Sequence, residues 1–253
     1  MAGVTKGKAY VGCSGWSYRH WRDVFYPAGT PSKGWFAYYA ERFATVEVNN
    51  TFYRLPPPAT FQAWKEQAPS GFTYAVKVNQ YGTHRRRLRE PEAWLPNYLE
   101  RVVLLGPRLG PQLVQLPPRW HVDAGRLDEF CTCARQAEKA AGAGALRWAL
   151  EVRDRSWLTD EVFSVLSAHG FALCVHDLLD DHPWARTADF AYVRFHGAGA
   201  RYRGEYKPEG LKPALTKLRR WLAEGTDVYA YFNNDLGGAA VRDATWLAAR
   251  IPG

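Results

Sequence analysis

The stretch Leu146-Arg147-Trp148-Ala149-Leu150-Glu151-Val152-Arg153 reads as a buried β-strand whose last residues turn ionic. Glu151 and Arg153 are two apart and share a strand face. Buried charge is costly unless paired or used, so this strand leaves the core where a ligand or a partner charge waits. Other strands end in the same way. Thr45-Val46-Glu47-Val48-Asn49 is a β-branched run with Glu47 and Asn49 on one face, and Phe72 to Val76 runs into Lys77. Pro111 to Leu116 contains Gln115, Phe171 to Val175 is followed by His176-Asp177, and Phe190 to Gly197 carries Arg194 and His196. Ala9 to Cys13 leads into Ser14, and Asp227 to Phe232 into Asn233-Asn234-Asp235.

Helical stretches fall between most of these strands: Trp35 to Arg42, Thr60 to Gln67, Glu92 to Leu105, Arg126 to Ala141, Glu161 to Ala168, Leu211 to Ala223 and Gly238 to Ala249. Thr159 and Asp160 suit a helix start, and Gly170 a stop. Eight short apolar strands in β/α alternation predict an α/β fold, a TIM-type (β/α)8 barrel, irregular between strands six and seven where 178–188 is too polar and short for a full helix. A chain of 253 residues fits one such barrel of roughly 250 residues, so a single domain over 1–253 is expected. In that fold the C-terminal strand ends converge on one mouth, the expected place of function.

Composition narrows the class. Lys and Arg number 33 against 25 Asp and Glu, a formal charge of +8 that favours phosphates, nucleic acid or acidic metabolites. The four cysteines show neither CxxC pairs nor zinc spacing, which fits a reducing compartment. The leader Met-Ala-Gly-Val-Thr-Lys-Gly-Lys has no apolar signal core, and no apolar run reaches the roughly 18 residues of a span, so a cytoplasmic protein without a membrane partner is expected.

The motifs also resemble a known family. Gly12-Cys13-Ser14-Gly15-Trp16 with Tyr18 and Trp21, Val46 to Arg54, Ala75-Val76-Lys77, Thr83-His84, Gln115-Leu116-Pro117-Pro118, Glu151-Val152-Arg153 with Ser156-Trp157, Val193 to Gly197, and Tyr231 to Asp235 are similar to the YecE-like family, domain of unknown function seventy-two. The resemblance covers almost the whole chain and implies a TIM-type barrel without a settled activity. Likeness to apurinic-site endonucleases and xylose-isomerase-type enzymes is analogy at the level of fold. Cys13 departs from the family pattern, where Thr is common.

Several chemistries fit the strand ends. Glu151, Glu47, His196 and Lys77 are the catalytic candidates for general acid/base work, with Glu151 first and His196 its natural proton-exchange partner. Lys77 is also a conceivable Schiff-base nucleophile. An anion site is expected where Asn233, Asn234, Asp235, Gly237 and Gly238 precede the last helix, completed by Arg194 and by Arg201 or Arg203. Arg153, Asn49, Tyr53, Gln115, Trp16 and Tyr18 complete the expected substrate-binding set. Glu47, Glu151, His176, Asp177 and His196 offer ligands for a built-in divalent metal, but Lys77, Arg153 and Arg194 would crowd it with positive charge, so no metal is favoured. The expected function is an enzyme, hydrolase or isomerase, acting on a phosphate ester, sugar phosphate or nucleic acid. The alternative is a non-catalytic nucleic-acid binder whose loop aromatics, Trp16, Tyr18, Trp21, Tyr53, Trp157, Tyr202 and Tyr206, stack bases beside Arg85 to Arg87.

Overall fold

Strands buried on both faces are written as continuous apolar runs, and that is how this chain builds its sheet. The computed structural model describes residues 6–199 and 202–251. The strands are β1 (Ala9–Cys13), β2 (Thr45–Val48), β3 (Thr73–Lys77), β4 (Leu109–Gln115), β5 (Trp148–Glu151), β6 (Phe171–His176), β7 (Phe190–Phe195) and β8 (Asp227–Phe232). The helices are α1 (Trp35–Ala40), α2 (Asn50–Tyr53), α3 (Pro58–Gln67), α4 (Leu95–Val102), α5 (Ala124–Ala140), α6 (Asp160–His169), α7 (Lys207–Ala223) and α8 (Ala239–Ala248). The strand order is β1-β8-β7-β6-β5-β4-β3-β2, that of the expected TIM-type α/β fold. Parallel ladders set Gln115 opposite Glu151 and Arg194 opposite Tyr231.

Local chemistry explains the boundaries. The Thr159 side chain accepts from the Val162 N–H to start α6, and Gly170, at φ 66°, ends it in the left-handed region. The helix expected over 92–105 is divided: a single turn at Pro91–Ala93, then α4, then tight turns over Val103–Arg108. Gly106, at φ 53°, and Pro107, which has no N–H to donate, forbid a longer helix. Strand five is also shorter than the run 146–153, because its ladder with β4 covers only Trp148 to Glu151. Strand two stops at Val48: Asn49 turns to φ −98°, ψ −18° and begins α2, which carries Tyr53 out of the expected loop.

The chain divides into two units, Met1–Glu47 with His176–Leu178 and Asp189–Gly253, and Val48–Val175 with Leu179–Ala188. The first unit's core is aromatic, with Tyr26 stacked on Trp35 at 4.9 Å and Tyr10 on Tyr229 at 4.5 Å. In the second, Trp148 stacks on Phe171 at 5.6 Å and Trp120 meets Trp157 edge-on at 5.0 Å. None of the four cysteines is in a disulfide; Cys13, Cys131 and Cys174 are buried and Cys133 is partly exposed. Burial pushes the Cys13, Cys131 and Cys133 thiols up. Among the described residues no helix is long and apolar enough to cross a membrane.

Candidate functional site

In the first unit the polar strand ends form one continuous chain of hydrogen bonds. Tyr192, Arg194 and His196 alternate along β7 and its exit, so they share a face. Glu47 Oε1 accepts from Ser14 Oγ at 2.6 Å and from Arg194 Nη2 at 2.8 Å, while Oε2 accepts from the Tyr192 hydroxyl at 2.6 Å. Arg194 Nη1 lies 3.2 Å from His196 Nε2, and His196 Nδ1 lies 3.2 Å from Asp177 Oδ1. A guanidinium can only donate, so the imidazole accepts at Nε2 and carries its hydrogen on Nδ1, facing the carboxylate.

The Tyr206 hydroxyl donates to Asp177 Oδ2 and accepts from the Gly197 N–H. Burial acts to raise the Asp177 carboxyl, but hydrogen bonds from His196 and Tyr206 and the nearby imidazole outweigh it, holding it below the usual carboxylate range. Burial and the Asp177 charge push the Tyr206 phenol up. His176 meets His196 edge-on at 5.8 Å. Glu47, Arg194 and His196 are fully buried, whereas the Asp177 side chain at the end of the chain keeps 33% exposure.

The turn after β8 is held from the same unit. Asn233 donates its N–H to the Phe195 carbonyl at 2.8 Å. The Asn234 amide nitrogen donates to Gly204 O at 2.7 Å and Asp243 Oδ2 at 2.8 Å. The Asp235 carbonyl accepts from Trp21 Nε1 at 2.8 Å, and its carboxylate lies 3.2 Å from His20 Nε2. Burial raises the Asp235 carboxyl, with His20 opposing. Gly237 and Gly238, at φ 62° and 72°, make the left-handed entry to α8, and Arg242 bonds the Gly237 carbonyl at 2.9 Å. Arg203 is exposed; Arg201 lies outside the described residues. Half-buried Trp16 and Tyr18 pack into the aromatic layer, Trp16 edge-on to Phe36 at 5.4 Å and Tyr18 against Trp21 at 4.8 Å.

The second unit holds a different cluster. Glu151, fully buried at the end of β5, pairs with Arg153 Nε and lies 3.9 Å from Cys174 Sγ. Lys77, ending β3, places Nζ 3.9 Å over the Phe52 ring, and His84 meets that ring edge-on at 4.9 Å. Thr51 ties α2 to this strand end by donating to the Lys77 carbonyl at 2.7 Å. His84 Nδ1 lies 2.9 Å from Thr83 Oγ1. Burial and then the charges of Lys77 and Arg153 lower His84 to about 4, with Glu151 opposing. Burial also lowers His182, again opposed by Glu151.

Gln115 is buried beside Glu151 in the ladder, Asn49 is half-buried, and Tyr53 is 73% exposed. His84 and Phe52 were legible only as parts of motifs, and Tyr192 and Tyr206 only through strand parity and a Tyr-rich loop. Among the described residues no three His, Cys, Asp or Glu side chains converge to hold a metal ion.

Known proteins resemble this chain in sequence or in fold. The chain is 25% identical over 266 residues to the UPF0759 protein YunF of Bacillus subtilis (strain 168), covering 91% of this chain and 90% of that one. It is 32% identical over 108 residues to the UPF0759 protein YecE of Escherichia coli (strain K12), covering 43% of this chain and 37% of that one. A solved DUF72 family protein from Thermotoga maritima MSB8 superposes with a TM-score of 0.83 at 26% identity, covering 96% of this chain and 98% of that one. A zinc-containing IOLI protein, at 9% identity and a TM-score of 0.51 over 83% of this chain and 88% of that one, shares the fold alone. A family model described as protein of unknown function DUF72 matches residues 10–252, and the chain belongs to that family.

Proposed function

We propose that this protein is an enzyme that binds an anionic substrate, a phosphate ester, sugar phosphate or nucleic acid, and moves a proton on it by general acid/base chemistry. One observation carries this reading: the His84 imidazole and the Lys77 ammonium meet the same Phe52 ring, at 4.9 and 3.9 Å, where burial and then the charges of Lys77 and Arg153 keep the imidazole neutral. Lys77 and Arg153 supply the positive charge that an anion seeks, and Glu151 holds the Arg153 guanidinium in place. If the Thr83 hydroxyl donates to the Asn79 carbonyl, 3.3 Å away, His84 carries its hydrogen on Nδ1 and offers Nε2 as base.

Substrate itself tunes this base. At about 4, His84 is unprotonated but a weak base at neutral pH. An arriving anion offsets the two cations that depress it, so its affinity for a proton rises when there is a proton to take. Glu151 and Lys77 therefore belong to the reacting set, whereas Glu47 and His196, engaged at both oxygens and both nitrogens, are positioning residues of the first unit.

The sign of the linkage is definite. A histidine with a folded value of about 4 against an unfolded value near 6.5 leaves the unfolded chain holding more protons between those limits. Its contribution is full above the upper limit and is lost as pH falls toward the lower one. The test is an NMR titration of the His84 ring with and without inorganic phosphate. Phosphate raises its midpoint by roughly one unit in the wild type, and the response disappears in Lys77→Ala. A midpoint indifferent to phosphate would overturn the proposal.

A further inference from the structure

We infer that the second unit also carries a pocket for the heterocyclic base of a nucleotide, formed on the turn that bears His84. Its cavity is about 250 Å³, lined by Leu55, Asn79, Tyr81, Gly82, Trp94 and Asn97 among others. Pockets for drug-sized ligands start at roughly 300 Å³, so this one suits a single flat ring system. Its wall is rigid. Trp94 is wedged between Phe130, stacked at 5.9 Å, and Gly82, where a Cβ would come within 2.6 Å of the indole. Tyr81 is 48% exposed and offers a free aromatic face for stacking.

Asn97 lines the same cavity and is exposed, and its side-chain amide is engaged by no described residue. An amide presents a donor and an acceptor side by side, the pattern that pairs with N6 and N7 of adenine. Asn79 is already oriented: its Nδ2 donates to Thr51 O at 2.9 Å and its Oδ1 accepts from the Tyr81 N–H at 2.8 Å.

The turn that lines the cavity runs on into a basic loop. Tyr81–Arg85 forms a wide π-type turn, a form met most often at functional sites. Beyond it Arg87, Leu88 and Glu90 all take left-handed φ, at 48°, 62° and 47°, although none is glycine. Such backbone is strained, and strain of this kind gathers where geometry serves function. The loop is pinned by Leu88 N–H to Gly82 O at 2.9 Å and Arg86 N–H to Tyr81 O at 2.8 Å. Arg85, Arg87 and Arg89 are thereby presented to solvent from a fixed backbone. His84 and Tyr81 belong to one turn, so base and anion can belong to one ligand. This last step rests on the acid/base reading; the base pocket does not.

Calorimetric titration with adenosine, AMP and ribose 5-phosphate separates the two. Tyr81→Ala and Asn97→Ala, both at exposed positions, weaken adenosine and AMP about tenfold and leave ribose 5-phosphate unchanged, while Tyr81→Trp retains binding. Lys77→Ala weakens AMP and ribose 5-phosphate but not adenosine, and failure of that arm alone counts against the acid/base site only. A single-stranded deoxyadenosine oligomer of roughly eight nucleotides that binds more than tenfold tighter than AMP identifies a strand as the source of the base; equal affinity identifies a mononucleotide. Adenosine binding that is absent, or indifferent to both pocket variants in proteins with wild-type melting curves, overturns the inference.

Discussion

Glu47 and Glu151 look alike in the sequence, each an acidic residue ending an apolar run, yet their surroundings ask different things of them. Glu47 neutralises Arg194, which is fully buried, and takes further hydrogen bonds from Ser14 and Tyr192. Glu151 pairs with Arg153, whose side chain retains 8% exposure against 1% for Arg194. Removing one partner of a buried pair leaves the other charge uncompensated, which costs about 3–5 kcal/mol. Glu47→Gln should therefore lower the melting temperature by on the order of 10 °C, and Glu151→Gln by clearly less. Thermal unfolding of the two variants checks this, and a Glu47→Gln protein that melts with the wild type would refute it. The short-range pairing of Glu151 with Arg153 was legible because the partners are two residues apart. That of Glu47 with Arg194 spans 147 residues, and only the folded chain brings the two together.

At the scale of elements, the segment from Tyr81 to Tyr98 departs furthest from what its sequence suggests. The run His84 to Arg87 reads as a solvated basic loop, and left-handed φ at Arg87, Leu88 and Glu90 has no local signal, since none is Gly, Asn or Asp. Tertiary contacts decide instead: Leu88 is buried, and Gly82 lies flat on Trp94. Gly82→Ala should destabilise the protein by about 1–3 kcal/mol through overpacking against an indole that Phe130 blocks from retreating. Urea unfolding measures it, and a neutral change would mean that the Trp94 ring can move. By contrast, the caps of α6 and the strands were legible, because Thr159, Gly170 and the continuous apolar runs act locally. Pro96, which suits only the first turn of a helix, also explains why the expected helix over 92–105 restarts at Leu95 after the turn at Pro91–Ala93.

For the whole molecule, the α/β class was legible because eight runs buried on both faces alternate with helices, a pattern that few folds share. The grouping of polar strand ends was less so: the sequence ranks them equally, while the structure makes one hydrogen-bonded network in the first unit and one cluster around His84 in the second. The sealed cysteines give these units a practical use. Cys13 lies in the first unit and Cys131 and Cys174 in the second, all three shielded, while Cys133 alone is partly open. A thiol-reactive dye should titrate a single sulfhydryl in the native protein and four in denaturant, read by absorbance. Pulse labelling during unfolding, followed by peptide mapping, then works as a two-channel stopwatch: early dye on Cys13 reports that the first unit opens first, and early dye on Cys131 and Cys174 reports the reverse.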